Sequence, residues 1–419
     1  MLAFGTWRKL AAACWVVALL PAGTTVAASK KSAHPAGAQT TTANPCKADD
    51  EDADAESLKF ALGNTCVEID GEVNASFSRV LNSSQPGFPQ FFRRFGTPSQ
   101  DRDSYSVWVK LGFTGTQQTA WGELETRLLF KWLKSKGDDQ SLGFLQIEDA
   151  YASLAGWKVG YTDTLMNFWT SEFEFTATAP KRTVASVAYE REIISDTKLA
   201  IALESGPPTT PVSSGKLATV NWDDPVLAGR WLYEKDDWEV HWSALVHQLK
   251  VGGGAVPLPF IPSTSAIYLG WAASFGLTIP MKAVGEDDYI SLQAVYARNA
   301  SAYLGTNADL SSLASILPFP AQTSGWSLVA SYHREWSEQF ESNFFASRLA
   351  LDISLSGAQP SIRSARYAAN LKWKPIKKLK LGPEIGYVRL QADPGRGGNV
   401  LPALRGHALT GTLVLGYEF

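Results

Sequence analysis

The sequence predicts an all-β protein: a transmembrane antiparallel β-barrel of about sixteen strands, with short turns at one end and long loops at the other. Three observations predict it. Apolar residues alternate with small or polar ones at period two in segment after segment, brief and long connections take turns between those segments, and one apolar row runs off the C-terminus. That last row is Leu409, Gly411, Leu413, Leu415, Tyr417 and Phe419, against Ala408, Thr410, Thr412, Gly416 and Glu418, with Val414 the one apolar intruder. Termini of water-soluble domains are usually polar and frayed, so an aromatic strand end suits lipid better than water. A soluble sandwich could supply one such strand, but it would not keep short and long connections alternating along most of the chain.

The N-terminus carries an export address. Arg8 and Lys9 precede the apolar run Leu10–Leu20, Pro21 and Gly23 break it, and Val26, Ala27 and Ala28 offer small residues for cleavage. The run is too short for a spanning helix, so residues 1–28 are expected to be a signal peptide. A lipoprotein anchor at Cys14 fits poorly, with Ala11 three residues before it and Trp15, Val16 and Leu20 continuing the run. Losing Arg8 and Lys9 takes the formal charge from -3 to -5, a mildly acidic balance that argues against a nucleic-acid partner. Cleavage also leaves Cys46 and Cys66 as a pair, and an even count in an oxidising compartment favours a disulfide, worth on the order of 3 kcal/mol.

Residues 29–65 read as a mobile lead followed by a small disulfide-linked periplasmic element, and 66–419 as the barrel. The lead is rich in Ala, Thr, Lys and Pro. The element holds an acidic run, Asp49, Asp50, Glu51, Asp52, Asp54 and Glu56, without the alternate ligands and turn Gly of a calcium loop, so no metal is expected.

From Cys66 the strands follow in order. Val67–Val80 sets Val67, Ile69, Gly71, Val73, Ala75 and Phe77 against Glu68, Asp70, Glu72, Asn74, Ser76 and Ser78. Ser104–Gly115 opposes Tyr105, Val107, Val109, Leu111 and Phe113 to Ser106, Trp108, Lys110 and Gly112, and Trp121–Trp132 opposes Leu124, Leu128 and Phe130 to Glu123, Glu125 and Arg127. The same reading places strands at 143–154, 157–161, 183–191, 197–205, 225–233, 238–249, 265–279, 288–299, 326–336, 341–355, 365–373, 380–390 and 406–419. Residues 206–224, 250–264, 300–325 and 391–405 are long connections rich in Gly, Pro and Ser, whereas Gly156 and residues 192–196, 234–237, 337–340 and 374–378 are brief. Trp238, Trp242, Tyr289, Tyr296, Trp326, Tyr332, Tyr417 and Phe419 are candidates for aromatic belts on the lipid face. No stretch after the signal is long and apolar enough for a helical span.

With those segments placed, the chain resembles the alphaproteobacterial porin family. The matching pieces stand in order: NTCVEIDGEV after the paired Cys, IEDAYASLAGWKVGYTDTLMNFW, DPVLAGRWLYEKDDWEVHWSALVHQ, GWAASFGLTIP, DDYISLQAVYARNASAYLG, NLKWKPIKKLKLGPEIGYVRL and the terminal Phe. The resemblance implies a general-diffusion pore of about sixteen strands, a homotrimer embedded in outer-membrane lipid, with no cofactor. The tail also resembles the C-terminal signature of outer-membrane barrels, which implies recognition of Phe419 by the barrel assembly machinery. It places Thr162–Arg182 as a loop folded into the lumen. Here that segment is short and poor in Gly, and the stretch after Cys46 is acidic where the family has an aromatic, Gly-rich run.

A barrel of this size holds an aqueous channel through which small hydrophilic solutes diffuse passively, sorted by diameter and wall charge. The pore-lining candidates are Glu68, Asp70, Glu72, Lys110, Glu123, Glu125 and Arg127, and those on the inward loop are Asp163, Glu172, Glu174, Lys181 and Arg182. Each could shape a transverse field or merely keep the lumen wet. A substrate-specific channel for sugars or organic acids is the nearer alternative, for which Phe168, Trp169, Phe173 and Phe175 offer an aromatic track. A barrel enzyme is more remote: His241, His247, His333 and His407 are available, but there is no G-x-S-x-G nucleophile motif.

Overall fold

The structure is a computed structural model that describes residues 46, 58–84, 103–135, 144–168, 182–206, 218–221, 225–253, 266–304, 322–354, 359–395 and 404–419. Its strands are β1 (Leu58–Leu62), β2 (Thr65–Ser83), β3 (Asp103–Thr119), β4 (Gly122–Ser135), β5 (Phe144–Leu154), β6 (Trp157–Asp163), β7 (Thr183–Ile194), β8 (Thr197–Glu204) and β9 (Ala218–Asn221). The second half holds β10 (Val226–Lys235), β11 (Trp238–Gly253), β12 (Ala266–Pro280), β13 (Tyr289–Arg298), β14 (Gln322–Ser337), β15 (Phe340–Ser354), β16 (Ser361–Ile376), β17 (Leu379–Asp393) and β18 (Leu404–Glu418).

Sixteen of them, β2–β8 and β10–β18, close an antiparallel barrel in which each pairs with the next, β8 with β10, and β18 with β2. These are the sixteen segments that the alternation marks. The two short extras fill gaps along strand edges. β18 pairs with β2 only down to Glu418 opposite Glu72, and β1 takes over the same edge, Leu58 opposite Ile69. Likewise β9 continues the line of β10 along β11, Asn221 opposite Lys250, so β11 runs on to Gly253, past its expected end. Thus Leu58–Leu62, expected within the separate N-terminal element, adds to the sheet, and Cys46 is disulfide-bonded to Cys66 at the start of β2.

Closure centres on the last residue. Phe419 and Gly71 exchange backbone hydrogen bonds of 3.0 and 2.9 Å, and the tip of the Phe419 ring reaches Gly71, where a Cβ would stand 2.2 Å from Cζ. At the turn end, Ala155–Gly156 and Asp236–Asp237 have positive φ at both residues, the geometry that tight two-residue hairpins require.

The two faces separate by parity. On β8, Leu199, Ile201 and Leu203 point outward and are about half exposed, while Ala200, Ala202 and Glu204 are buried inside. Trp242, Val246, Leu269, Leu328, Phe344 and Leu413 continue the outward apolar band, too large a patch for a water-soluble surface and suited to lipid. Trp238, Trp242, Tyr296, Tyr417 and Phe419 belong to the exposed outer surface. Tyr289 does not. It is seven residues from Tyr296, an odd step in a strand, so it shares the inner face with buried Ser291, Gln293 and Val295 and stacks on His333 at 4.9 Å. Inside, toward the long-loop end, Leu349, Leu351, Ile353, Ile362, Val388 and Leu390 form an apolar cluster with Tyr303 and Leu304. No helix among the described residues is long and apolar enough to cross a membrane; the strands do the crossing.

Candidate channel lining

The inner wall of β2–β6 is a ladder of charges. Asp70 lies across β3, where Gly112 leaves it room, a Cβ there standing 2.6 Å from its carboxylate. It accepts two hydrogen bonds from Arg127 on β4, Nη1 and Nη2 each at 3.1 Å, the paired geometry a guanidinium favours. Arg127 also donates to Thr114 Oγ1 at 2.7 Å and lies 3.9 Å from Asp149. Beside it, Lys110 and Lys131 share Glu148 at 3.5 and 3.3 Å, with Glu72 3.9 Å from Lys110. Both ammonium groups also sit against the Trp108 ring, about 5 Å from its centre. Glu125 accepts the Tyr151 hydroxyl at 2.7 Å, and Lys158 covers the Tyr151 ring.

A register shift makes this wall more acidic than alternation alone implies. Leu129 pairs with Asp149 but Phe130 with Ile147, so Glu148 is an extra residue in β5. A bulge turns two consecutive side chains to one side. Glu148 reaches the lysines and Asp149 the guanidinium, both on the inner face.

After β6 the chain turns into the barrel. Glu204, buried on β8, accepts the Thr164 hydroxyl and the Leu165 backbone N–H, each at 2.7 Å. Met166 is fully buried, its carbonyl 3.4 Å from Gln293 Nε2 and its sulfur 3.2 Å from Ser243 Oγ. Phe168 packs 5.2 Å from the His241 ring and over Gly276. So residues 164–168 touch β8, β11, β12 and β13 from within. A second segment enters after β13: Asn299 donates to the Leu269 carbonyl and accepts the Thr323 N–H, both at 3.1 Å, and Tyr303 beyond it lies under Arg182 at 5.4 Å.

Between the first segment and the wall is a cavity of about 500 Å³, lined among others by Glu123, Lys158, Asp163, Glu190 and Arg230. Arg230 is paired with Glu190. The opposite wall, β14–β16, pairs Lys374 with Glu335 at 2.9 Å and Glu341 at 3.3 Å, and Lys372 with Glu341 at 3.6 Å.

Glu68, Asp70, Glu72, Lys110, Glu123, Glu125 and Arg127 therefore share the inner face of adjacent strands. Asp163 ends β6 and accepts Asn167 Nδ2 at 2.7 Å. Arg182 accepts the Thr164 N–H through its carbonyl at 2.9 Å. Glu172, Glu174 and Lys181 lie outside the described residues, as do Trp169, Phe173, Phe175 and the acidic run 49–56. Lys131, Glu148, Asp149, Lys158, Glu190, Glu204 and Arg230 join the interior although alternation did not single them out. The four barrel histidines meet aromatic rings or amides: His241 faces Phe168, His247 packs at Gly270, His333 bonds Asn343 at 2.8 Å, and His407 lies beside Tyr387 on the outside.

A closed antiparallel barrel with an apolar exterior, a charged interior and in-folded segments defines a membrane channel of the bacterial outer membrane. The particular kind follows from comparison: a family model described as the porin subfamily matches residues 62–400, and the chain belongs to that family. Among solved structures it is similar to the outer-membrane channel DcaP of Acinetobacter baumannii, at 15% identity and a TM-score of 0.65, covering 87% of this chain and 99% of that one. It is also similar to OprB of Pseudomonas putida, at 9% identity and a TM-score of 0.51, covering 84% and 94%. Identities this low show a shared fold. None of the curated proteins matches the sequence. The protein is a porin of the outer membrane, a passive diffusion channel.

Proposed function

We propose that this porin is a general-diffusion pore that passes small hydrophilic solutes by size, with a weak preference for cations. The observation that carries the reading is the β2–β5 wall, where Glu68, Asp70, Glu72, Glu123, Glu125, Glu148 and Asp149 outnumber Lys110, Arg127 and Lys131. Attraction between such a wall and a cation is stronger in a narrow, partly desolvated passage than in bulk water, and fades within about 10 Å at 0.1 M salt. Residues 164–168, held inside by Glu204, narrow the passage in this reading. The order of motifs supports an alphaproteobacterial type, and the homotrimer rests on the same resemblance.

Diffusion needs no reacting group, and the packing of the histidines against rings and amides supports a protein without enzymatic activity. One observation favours a substrate-specific channel instead: the Trp108 ring with Lys110 and Lys131 beside it on the lumen wall would suit an aromatic or sugar acid. Phe168, by contrast, is packed onto His241 and Gly276. Liposome swelling with a graded series of neutral sugars and organic acids separates the readings. A general pore gives rates that fall smoothly with solute size; one solute entering far faster than its size allows would establish the specific channel.

A further inference from the structure

The outer surface of β15–β18 changes character in rows as it rises toward the long-loop end. Cross-strand partners give the rows directly. The first is Phe344, Ala369, Ile385 and Gly411; the next is Ala346, Tyr367, Tyr387 and Leu409. Above these come Arg348, Ala365, Arg389 and His407, and then Ala350, Arg363, Gln391 and Arg405. All share the outward parity of the exposed side chains Phe344, Tyr367 and Leu413. Four arginines thus stand just beyond a tyrosine belt on four neighbouring strands. Near the long-loop ends of β8, β10 and β12 the outward positions hold Leu203, Leu227 and Leu269 instead.

An arginine facing lipid costs about 2–4 kcal/mol at the bilayer midplane and close to nothing at the interface, so these side chains belong at head-group depth, where tyrosine belts also lie. Asp352 neutralises Arg363, which it binds at 2.6 Å, and so leaves Arg348, Arg389 and Arg405; Asp393, one row above Arg363, accepts the Gly395 N–H. Arg348 lies beside the Trp326 ring, at 5.9 Å. Between Arg348 and Arg389 stands only the methyl group of Ala365, which leaves an opening flanked by two guanidinium groups. With strands about 4.8 Å apart, that opening spans roughly 10 Å, the scale of a sugar head group with its phosphates.

We propose that the outward face of β15–β18 is a binding site for a phosphate-bearing glycolipid of the outer leaflet. Its phosphates are held by Arg348, Arg389 and Arg405, and its acyl chains lie on Tyr367, Tyr387 and Ile385. Arginine suits this partner because its planar fork binds phosphate oxygens in pairs. Row-wise placement also fixes depth: the charges meet the head group while the aromatic and aliphatic rows below meet the chains.

The test is native mass spectrometry of the full protein in detergent, titrated with bisphosphorylated lipid A or with the same lipid stripped of phosphate. Wild type should retain the phosphorylated form about tenfold better, and retention should fall as salt rises. A variant carrying Arg348→Gln, Arg389→Gln and Arg405→Gln should lose that preference while keeping its single-channel conductance. Equal retention of both lipids by wild type, or an undiminished preference in the variant, overturns the site. So does a variant that changes oligomeric state yet keeps the lipid, since the face would then join copies of the chain. Should the variant fail to insert, the wild-type comparison of the two lipids still decides, and the Arg→Lys triple, charged but without the fork, should fall in between.

Discussion

Replacing Glu204 with Ala removes the anchor of the in-folded segment at a single point. Its carboxyl accepts two hydrogen bonds of 2.7 Å, from the Thr164 hydroxyl and the Leu165 N–H, in a site closed to solvent. Each such bond is worth about 1–3 kcal/mol, so the pair contributes about 4 kcal/mol, and its loss lowers the docked-to-released ratio about a thousandfold. Burial of Leu165 and Met166 still favours the docked state by about 1.5–3 kcal/mol each, so the segment is loosened rather than expelled. The readout is single-channel current in a planar bilayer. Glu204→Ala should add open-channel noise and new conductance levels; Glu204→Gln, which keeps an acceptor for Leu165 but not the full pair, should lie between. A Glu204→Ala channel with wild-type conductance and noise would refute the view that these residues narrow the passage.

Three further outcomes are expected. Gly71→Leu should slow insertion as Phe419→Asn does, because its side chain would occupy the place of the Phe419 ring; normal outer-membrane levels of both variants would count against closure at this seam. Thiol labelling of unfolded, unreduced mature protein should find neither Cys46 nor Cys66 free, and reduction should lower stability by on the order of 3 kcal/mol. Burial would raise the Asp288 carboxyl, but the Glu335 N–H, the Tyr332 hydroxyl and the Arg334 guanidinium more than offset it and hold its pKa below the usual carboxylate value. A group depressed in the folded state stabilises above its unfolded pKa and loses that contribution as pH falls through the folded one. Asp288→Asn should therefore lower the melting temperature at neutral pH and narrow the gap to wild type below about pH 4; a gap that is constant with pH would contradict the assignment.

All sixteen barrel strands were legible because each has one face in lipid and one in water, and that contrast is written at period two. The short strands Leu58–Leu62 and Ala218–Asn221 were not. They are held by vacancies on β2 and β11, and a vacancy belongs to the partner strand. Along the lining, Asp70, Lys110 and Arg127 stand in unbroken alternation and could be assigned by parity. Asp149 needed the bulge, whose trace was present: Leu145 and Ile147 are outward by odd numbers, Ala150 and Ala152 by even ones. Glu204 carried a signal too, as a lone acid in a row with Ala200 and Ala202, but its partners lie about forty residues away and only the fold brings them together. Tyr289 shows the converse error, an aromatic placed by type when its parity with Tyr296 already put it inside.

The most direct test of the account is the reversal potential of single channels across a salt gradient, repeated with rising concentration. The acidic wall of β2–β5 predicts an ohmic channel that needs no energy source and weakly prefers potassium to chloride, a preference that shrinks as the salt screens the wall. A preference for chloride would contradict the reading of the wall, and a purified, folded barrel that carried no current would contradict the channel itself.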